Sequence, residues 1–475
     1  MLFPTITFAL FFLAVFVLSW LLMPRFRLWK LFMIAASYVF YGYSSWRFCL
    51  LILASTVVNQ ACAVGVGRGR TPGSRKAWLV AAIVADLGIL GWFKYYGFFA
   101  SSLDNLLGTL GFGSSLPLLD IVLPVGISFL TFRAISYVVD VYRGKIVPGP
   151  HADVALYFVF FPYMMAGPIM RAADLLPQLN APRDPRAIDS SRAFWLIFAG
   201  LVKKMLIADF LASHLVNGVF ATPGGYSSLE ALLGVYAYAV QIYCDFSGYT
   251  DMAIGLGLLL GFRFPENFRS PYAAVSVQDF WRRWHMTLSS WLRDYLYIPL
   301  GGNRKGQLRT SVNILLTMLL GGLWHGAGWT FVAWGGLHGA AQVGEHWFRD
   351  RRRRAGLPEP RSSLGGRILR RFLVFHFVTF AWIFFRADSF GAAASVIARL
   401  FTAWGAPSPS VTFEVVALII AGIAIQYVPA RLTDAIQAGF SRLALPLQGI
   451  ACALGLFLVN ALGPQGPALF LYFKF

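Results

Sequence analysis

The chain is short of charge. Asp, Glu, Lys and Arg make up 13% of its 475 residues, about half the ~25% of a soluble domain. So little charge cannot coat a water-facing surface, and this excludes an ordinary soluble globule. With 57% hydrophobic residues and a mean hydropathy of +0.63, the chain reads as an all-α polytopic membrane protein. Acidic residues are the scarcest charge, 21 against 40 basic, for a net +19. Such an excess suits nucleic acid, but the Lys and Arg lie between apolar segments, where the positive-inside rule places them. Anionic headgroups of the lipid bilayer are the simpler partner, and nucleic acid is not expected. The four cysteines, Cys49, Cys62, Cys244 and Cys452, are scattered through apolar runs without CxxC spacing. They read as small buried hydrophobes, which argues against a disulfide framework and a thiolate metal site. No basic residue precedes Arg25, so the first apolar run is a retained membrane helix and not a cleaved signal. With no internal repeat, low-complexity tail or soluble segment, residues 1–475 read as one integral-membrane domain.

What is present is a succession of apolar windows, roughly eleven of spanning length at about twenty residues each. Thr5 to Met23 is followed by Arg25, Arg27 and Lys30, which places the N-terminus outside. Leu31 to Tyr43 and Leu50 to Val66 form a hairpin. Ala77 to Phe99 crosses outward, Ser101 to Leu119 is an external loop, and Ile121 to Val141 returns. Ala155 to Met170 contains Phe161-Pro162 and Gly167-Pro168. Proline there breaks a helix, and broken backbone at membrane depth needs a protein or water lining, so a half-helix against a cavity is expected. Arg171 to Lys204 is basic and expected at the cytoplasmic face or interface. Phe194 to Phe220 and Leu229 to Phe262 are the next spans. Phe372 to Phe385, Val411 to Val428 and Leu447 to Leu462 follow a loop with nine arginines between Arg349 and Arg371. Ser389 to Leu400 reads as interfacial.

The Leu229 to Phe262 span carries Tyr243, Asp245, Ser247, Tyr249 and Asp251. Ser247 and Asp251, four apart, share a helix face. These carboxylates either line a pocket and orient a catalytic group, or satisfy polar atoms at a helix break near Gly248. The plainer second reading is preferred for each carboxylate alone, because structural networks also hold buried charge.

Chemistry concentrates between Phe280 and Gly326. At 100° per residue, Phe280, Trp281, Trp284, Leu288, Trp291, Leu292, Tyr295 and Leu296 share one arc of an amphipathic helix. Arg282, Arg283, Ser289, Ser290, Arg293 and Asp294 share the other, with His285 at the apolar edge. The arginines suit a phosphate-bearing donor such as coenzyme A, and equally lipid phosphates. The apolar run Asn313 to Leu323 then delivers Trp324, His325 and Gly326. If Arg309 and Arg349 both lie inside, Ser311 to Trp347 enters and leaves by one face. That requires two antiparallel pieces turning near Gly321, Gly322 and Gly326, with His325 deep in the membrane. An ionisable group at that depth is a functional candidate by default. Burial favours the neutral imidazole, which can accept a proton from a weakly nucleophilic hydroxyl. His285 would orient that base or stabilise an oxyanion. No third ligand accompanies the pair, so no metal is expected. His338 and His346 are weaker candidates. His338 lies roughly 20 Å from His325 along a continuous helix and reads as structural among Gly335, Gly336 and Gly339.

The ordered motifs Gln241-Ile-Tyr-Cys-Asp-Phe-Ser-Gly-Tyr-Thr-Asp251, Phe280-Trp-Arg-Arg-Trp-His285, Leu296-Tyr-Ile-Pro-Leu-Gly-Gly302 and Leu323-Trp-His-Gly326 resemble the membrane-bound O-acyltransferase family. They are most similar to its alginate O-acetyltransferase branch. The segments Phe160 to Arg171 and Leu471 to Phe475 fit that branch too, and the likeness is strongest from Val240 to Gly339. The resemblance implies a helical bundle with a catalytic core over 240–347. It implies that His325 is the essential intramembrane histidine and that His285 is the second active-site position; Trp324, Asp245, Asp251 and Tyr249 are the residues expected to line or orient that pocket. It implies no tightly bound cofactor, acetyl-CoA or another acyl thioester as cytoplasmic donor, and a polysaccharide acceptor reached through a separate periplasmic acetyltransferase. The setting implied is the inner membrane. D-alanyl transfer from an acyl carrier protein to a cell-wall polymer stays open as a related reading. A polysaccharide channel would show pseudo-symmetry and a wider polar lining. A scaffold for an export complex gives no reason for the deep histidine.

Overall fold

The structure, a computed structural model, describes residues 1–112, 117, 119–357, 363–463, 468, 470 and 471. Those residues form helices joined by turns and loops, and none of them is in a strand. The chain divides into two compact units, Met1–Ile188 with Leu256–Phe264, and Asp189–Gly255 with Pro265–Phe475.

In the first unit, helices Ile6–Leu22, Phe26–Gly42 and Arg47–Arg68 follow one another closely, matching the first apolar windows. Thr5 caps the first, its hydroxyl accepting from Phe8 N at 3.2 Å, and Thr71 caps the fourth in the same way. Ile6, Leu10, Leu13, Val17 and Leu21 stay exposed, an apolar stripe fit for lipid rather than water. The fourth run continues from Pro72 through a π-helical turn to Thr109, so much of the expected external loop is helix. Ile127–Tyr142 starts later than its window, because Pro124 and the left-handed Gly126 precede it. It is almost wholly buried.

The expected break at Phe160 to Pro162 is there, between His151–Val159 and Phe161–Met164. Its lining is protein. Buried Arg133 donates to the carbonyls of Phe158 and Met164, each at 3.4 Å, and lies 5.2 Å from the Tyr163 ring centroid. A guanidinium thus satisfies carbonyls that the broken helix cannot.

In the second unit the Phe194 to Phe220 window is continuous helix from Ser190 to Ala221, with two π-helical stretches inside it. Ser190–Leu201 passes into π-helical Val202–Asp209 and Ala212–Val216, then Asn217–Ala221. The next window is a single helix, Ser228–Leu259. Ser227 and Glu230 cap it reciprocally, Glu230 Oε2 accepting from Ser227 N at 2.8 Å and Ser227 Oγ from Glu230 N at 3.1 Å. It runs unbroken through Gly248, contrary to the helix break expected there. Gly248 is instead a contact point, where an added Cβ would lie 2.7 Å from the Gly200 carbonyl.

Gln307–His325 and Trp329–Arg354 form the antiparallel pair. Arg354 reaches Gln307 Oε1 at 3.1 Å, so the basic ends lie together. The turn is residues 326–328. Gly321 and Gly322 lie inside the first helix, not in the turn, where Gly322 meets Gly335 backbone to backbone.

Three described helices are by themselves long and apolar enough to cross a membrane: Arg47–Arg68, Pro72–Thr109 and Leu364–Arg386. The bent pair Phe413–Tyr427 and Arg431–Ser441 adds a fourth if it is one span. The windows outnumber these because several are assembled from short or broken helices. Helix Phe390–Thr402 covers the segment read as interfacial, and Ala430–Ser441 was not foreseen.

Candidate active site

The stretch from Phe280 is not one helix. Val277–Trp281 ends, the chain turns, and Met286–Leu292 begins with His285 as its N-cap, at φ 41° and ψ 55°. The apolar arc is still the buried face, from Phe280 to Leu292. The turn, however, swings His285 from the edge of that arc to complete burial. Two backbone bonds hold the turn to the segment before it. Met286 N donates to Asn267 O and Arg269 N to Arg283 O, both at 2.9 Å. The Glu345 carboxylate accepts from Val277 N at 2.6 Å and Gln278 N at 3.1 Å, tying the first short helix to the hairpin.

His325 is the last residue of Gln307–His325 and 2% exposed. Its ring centroid lies 6.4 Å from that of His285. Aromatic rings enclose the pair. Trp324 lies 6.0 Å from His285 and 5.0 Å from His325. Trp334 and Phe385 lie 5.0 and 5.3 Å from His325, and Phe246 stands edge-on to His285 at 4.7 Å. Two imidazoles forty residues apart in sequence thus share one buried aromatic compartment.

His338 is nearer this compartment than expected. The turn at 326–328 folds it back, so His325 and His338 pack on the same indole, that of Trp334. The expected separation assumed a continuous helix. Trp281 Nε1 donates to His338 Nδ1 at 3.3 Å.

The carboxylates of this helix answer to lysines. Lys204, 1% exposed, bonds Asp245 at 2.6 Å and Asp209 at 2.8 Å. Asp245 also accepts from Leu471 N at 2.9 Å and Asp209 from Ala468 N at 3.2 Å, anchoring the described C-terminal residues. Lys203 bonds Ser247 at 3.4 Å and pairs with Asp251. The helix face shared by Ser247 and Asp251 is therefore real, but its target is a lysine rather than a helix break. Of the two lysines expected at the basic interface, Lys204 lies inside and Lys203 is half-buried, because the Gly200–Gly248 contact brings the two helices close. Tyr249 is buried against Phe470, ring centroids 4.6 Å apart. Residues 472–475 of the C-terminal motif lie outside the described residues.

Of the three arginines, Arg282 is exposed. Arg283 pairs with Asp279 and Arg293 with Asp294, at 2.9 and 2.7 Å. The Asp294 hydrogen bond pushes the Arg293 guanidinium further above its ordinary value. Among the described residues no three His, Cys, Asp or Glu side chains gather as a metal site. A cavity of about 400 Å³ opens at the turn end of the hairpin. Phe331 and Phe385 form one wall, and Asn217, Thr330, Arg386 and Asp388 supply its polar lining. Phe385 lines it and also packs on His325.

Asn267, Trp334, Phe385 and Phe246 belong to the compartment and were not foreseen. Asn267 sits in an aperiodic stretch, and the three aromatics look like ordinary core.

Residues 146–385 match the MBOAT, membrane-bound O-acyltransferase, family. The chain is 41% identical over 408 residues to a probable alginate O-acetylase AlgI of Pseudomonas aeruginosa, covering 85% of this chain and 75% of that protein. The chain belongs to the membrane-bound O-acyltransferase family. It is therefore a multi-pass membrane acyltransferase. It is also 35% identical over 395 residues to the peptidoglycan O-acetyltransferase of Helicobacter pylori, covering 78% of this chain and 73% of that protein. To the teichoic acid D-alanyltransferase of Streptococcus thermophilus it is 29% identical over 280 residues, 55% of this chain and 68% of that protein. The matched region contains both histidines and ends at Phe385, which packs on His325 and lines the cavity.

Proposed function

We propose that this acyltransferase moves an acetyl group from a cytoplasmic thioester, such as acetyl-CoA, to an extracytoplasmic hydroxyl acceptor. The pathway served is O-acetylation of an exported polysaccharide such as alginate, in the inner membrane, through a separate periplasmic transferase. The observation that carries this reading is the juxtaposition of His285 and His325 in one buried aromatic compartment. In this reading His325 removes the proton of the acceptor hydroxyl as its oxygen attacks the thioester carbonyl. The new C–O bond forms, the C–S bond breaks, and the sulfur leaves as the thiol with the proton from His325. His285 assists, and Trp324 helps to exclude the water that would hydrolyse the thioester. The cavity beside Phe385 lies at the hairpin end opposite the basic one, which suits acceptor entry from outside. Arg282, exposed and with no carboxylate on it among the described residues, is the arginine we assign to the donor's phosphates. Asp245, Asp251 and Tyr249 support the compartment through Lys203, Lys204 and Phe470.

Acetyl transfer is preferred to D-alanyl transfer because the O-acetylating relatives match more of the chain at higher identity. The test is polymer-linked acetate on a deletion strain complemented with wild type, His325→Ala or His285→Ala at matched membrane levels. Wild type should restore acetate and His325→Ala should not. Full restoration by His325→Ala sinks the catalytic assignment. Restoration of D-alanine esters by wild type, with acetate unchanged, moves the donor to an acyl carrier protein.

A further inference from the structure

We propose that Asn267 is a positioning residue that fixes the tautomer of His285, making Nε2 a proton acceptor and not an oxyanion donor. This rests on the acyl-transfer reading above. Asn267 is 1% exposed. One atom of its amide lies 3.2 Å from Thr287 N, 2.9 Å from Thr287 Oγ and 3.1 Å from His285 Nδ1. Amide oxygen and nitrogen are told apart by their partners. A backbone N–H only donates, so the atom facing Thr287 N is the oxygen. The same oxygen faces His285 Nδ1, which must then carry the hydrogen. In a neutral imidazole the other nitrogen holds the lone pair.

The left-handed turn and the amide act together. The turn points the ring inward, and Met286 N on Asn267 O keeps the two segments in register. An aspartate would serve the same three donors. It would also spare the amide Nδ2, which has no partner among the described residues, a burial that costs stability. What the amide has and the carboxylate lacks is neutrality. A carboxylate here would favour the imidazolium, whose Nε2 donates. The asparagine holds the ring in place without charging it.

The assignment bears on roles. With Nε2 as acceptor, His285 takes a hydrogen bond from the His325 ring N–H, and so orients the base. The oxyanion must then be met by another donor.

The experiment is ¹⁵N spectroscopy of histidine-labelled protein in lipid bilayers, with His285 assigned by its loss in His285→Ala, run beside acetyl-transfer rates at matched protein. Wild type should show a protonated Nδ1 and a bare Nε2 at His285. Asn267→Leu should lose about 100-fold in kcat, the low end of what a misplaced acid–base group costs, with the donor KM unchanged and the tautomer mixed. Asn267→Asp, which keeps the acceptor, should recover part of that loss. A protonated Nε2 in wild type overturns the proposal without any variant, so misfolding of Asn267→Leu does not shelter it. Wild-type turnover in Asn267→Leu, with His285→Ala inactive, overturns it as well. Full turnover in His285→Ala refutes instead the role given to His285 in the acyl-transfer reading.

Discussion

Gly335 and Gly336 are neighbours on one helix and should behave oppositely. A Cβ at Gly335 would lie 2.3 Å from the Met318 carbonyl oxygen and 3.2 Å from Gly322 Cα. Ordinary contact begins near 3.4 Å, so Gly335→Ala must push the hairpin apart by about 1 Å. Both obstacles are backbone, and no side chain can rotate away. Overpacking of this kind costs about 1–3 kcal/mol, set against about 1 kcal/mol that alanine returns in helix propensity. The opened face carries His325 three residues beyond Gly322, and a 1 Å misplacement of a catalytic group costs on the order of 100-fold in rate. At Gly336 the nearest atom to the new Cβ is Leu319 Cδ2 at 3.5 Å, and the propensity gain should stand alone. Gly335→Ala should thus melt earlier in detergent and transfer acetate about 100-fold more slowly per folded molecule. Gly336→Ala should melt no earlier than wild type and transfer normally. Equal behaviour of the two variants would refute the claim that hairpin contact holds His325 in place.

Further substitutions probe separate parts of the structure. Lys204→Met leaves Asp209 and Asp245 without their shared cation and should cost about 3–5 kcal/mol, read as a lower thermal midpoint; Asp245→Asn, which still accepts from Leu471 N, should cost less. Arg133→Met withdraws the donor from the Phe158 and Met164 carbonyls and should destabilise by about 1–3 kcal/mol for each carbonyl left buried; an unchanged midpoint would mean the break is satisfied in another way. His285→Gly relieves a left-handed residue worth roughly 1–2 kcal/mol and should melt later than His285→Ala while transferring no more acetate. If the alanine variant is the more stable, the turn is not strained as φ 41° implies.

What the sequence made legible was composition and local order, and what it hid was contact at a distance. Too little charge for a water-facing surface gave the membrane class, and proline at Phe161-Pro162 gave the broken segment. Matching basic ends and an intervening glycine cluster gave the hairpin that buries His325. The helical wheel gave the right buried face from Phe280 onward, yet it could not give the turn at His285. That turn depends on Asn267 and Arg269, which bond to it across more than ten residues of chain and carry no periodic signal. Nor does hydropathy distinguish a lysine at an interface from a lysine inside. Lys203 and Lys204 looked like topology markers, and Gly248 like a helix breaker. Once Gly248 is seen to let Gly200 approach, the lysines fall beside Asp251 and Asp245, and the carboxylates need no helix break to explain them. The same reasoning explains His338. Its distance from His325 was measured along a helix that the hairpin itself forbids, since a turn at 326–328 must return the chain past Trp334. A glycine-rich stretch in an apolar chain is thus better read as a place where two backbones meet than as a place where one of them ends.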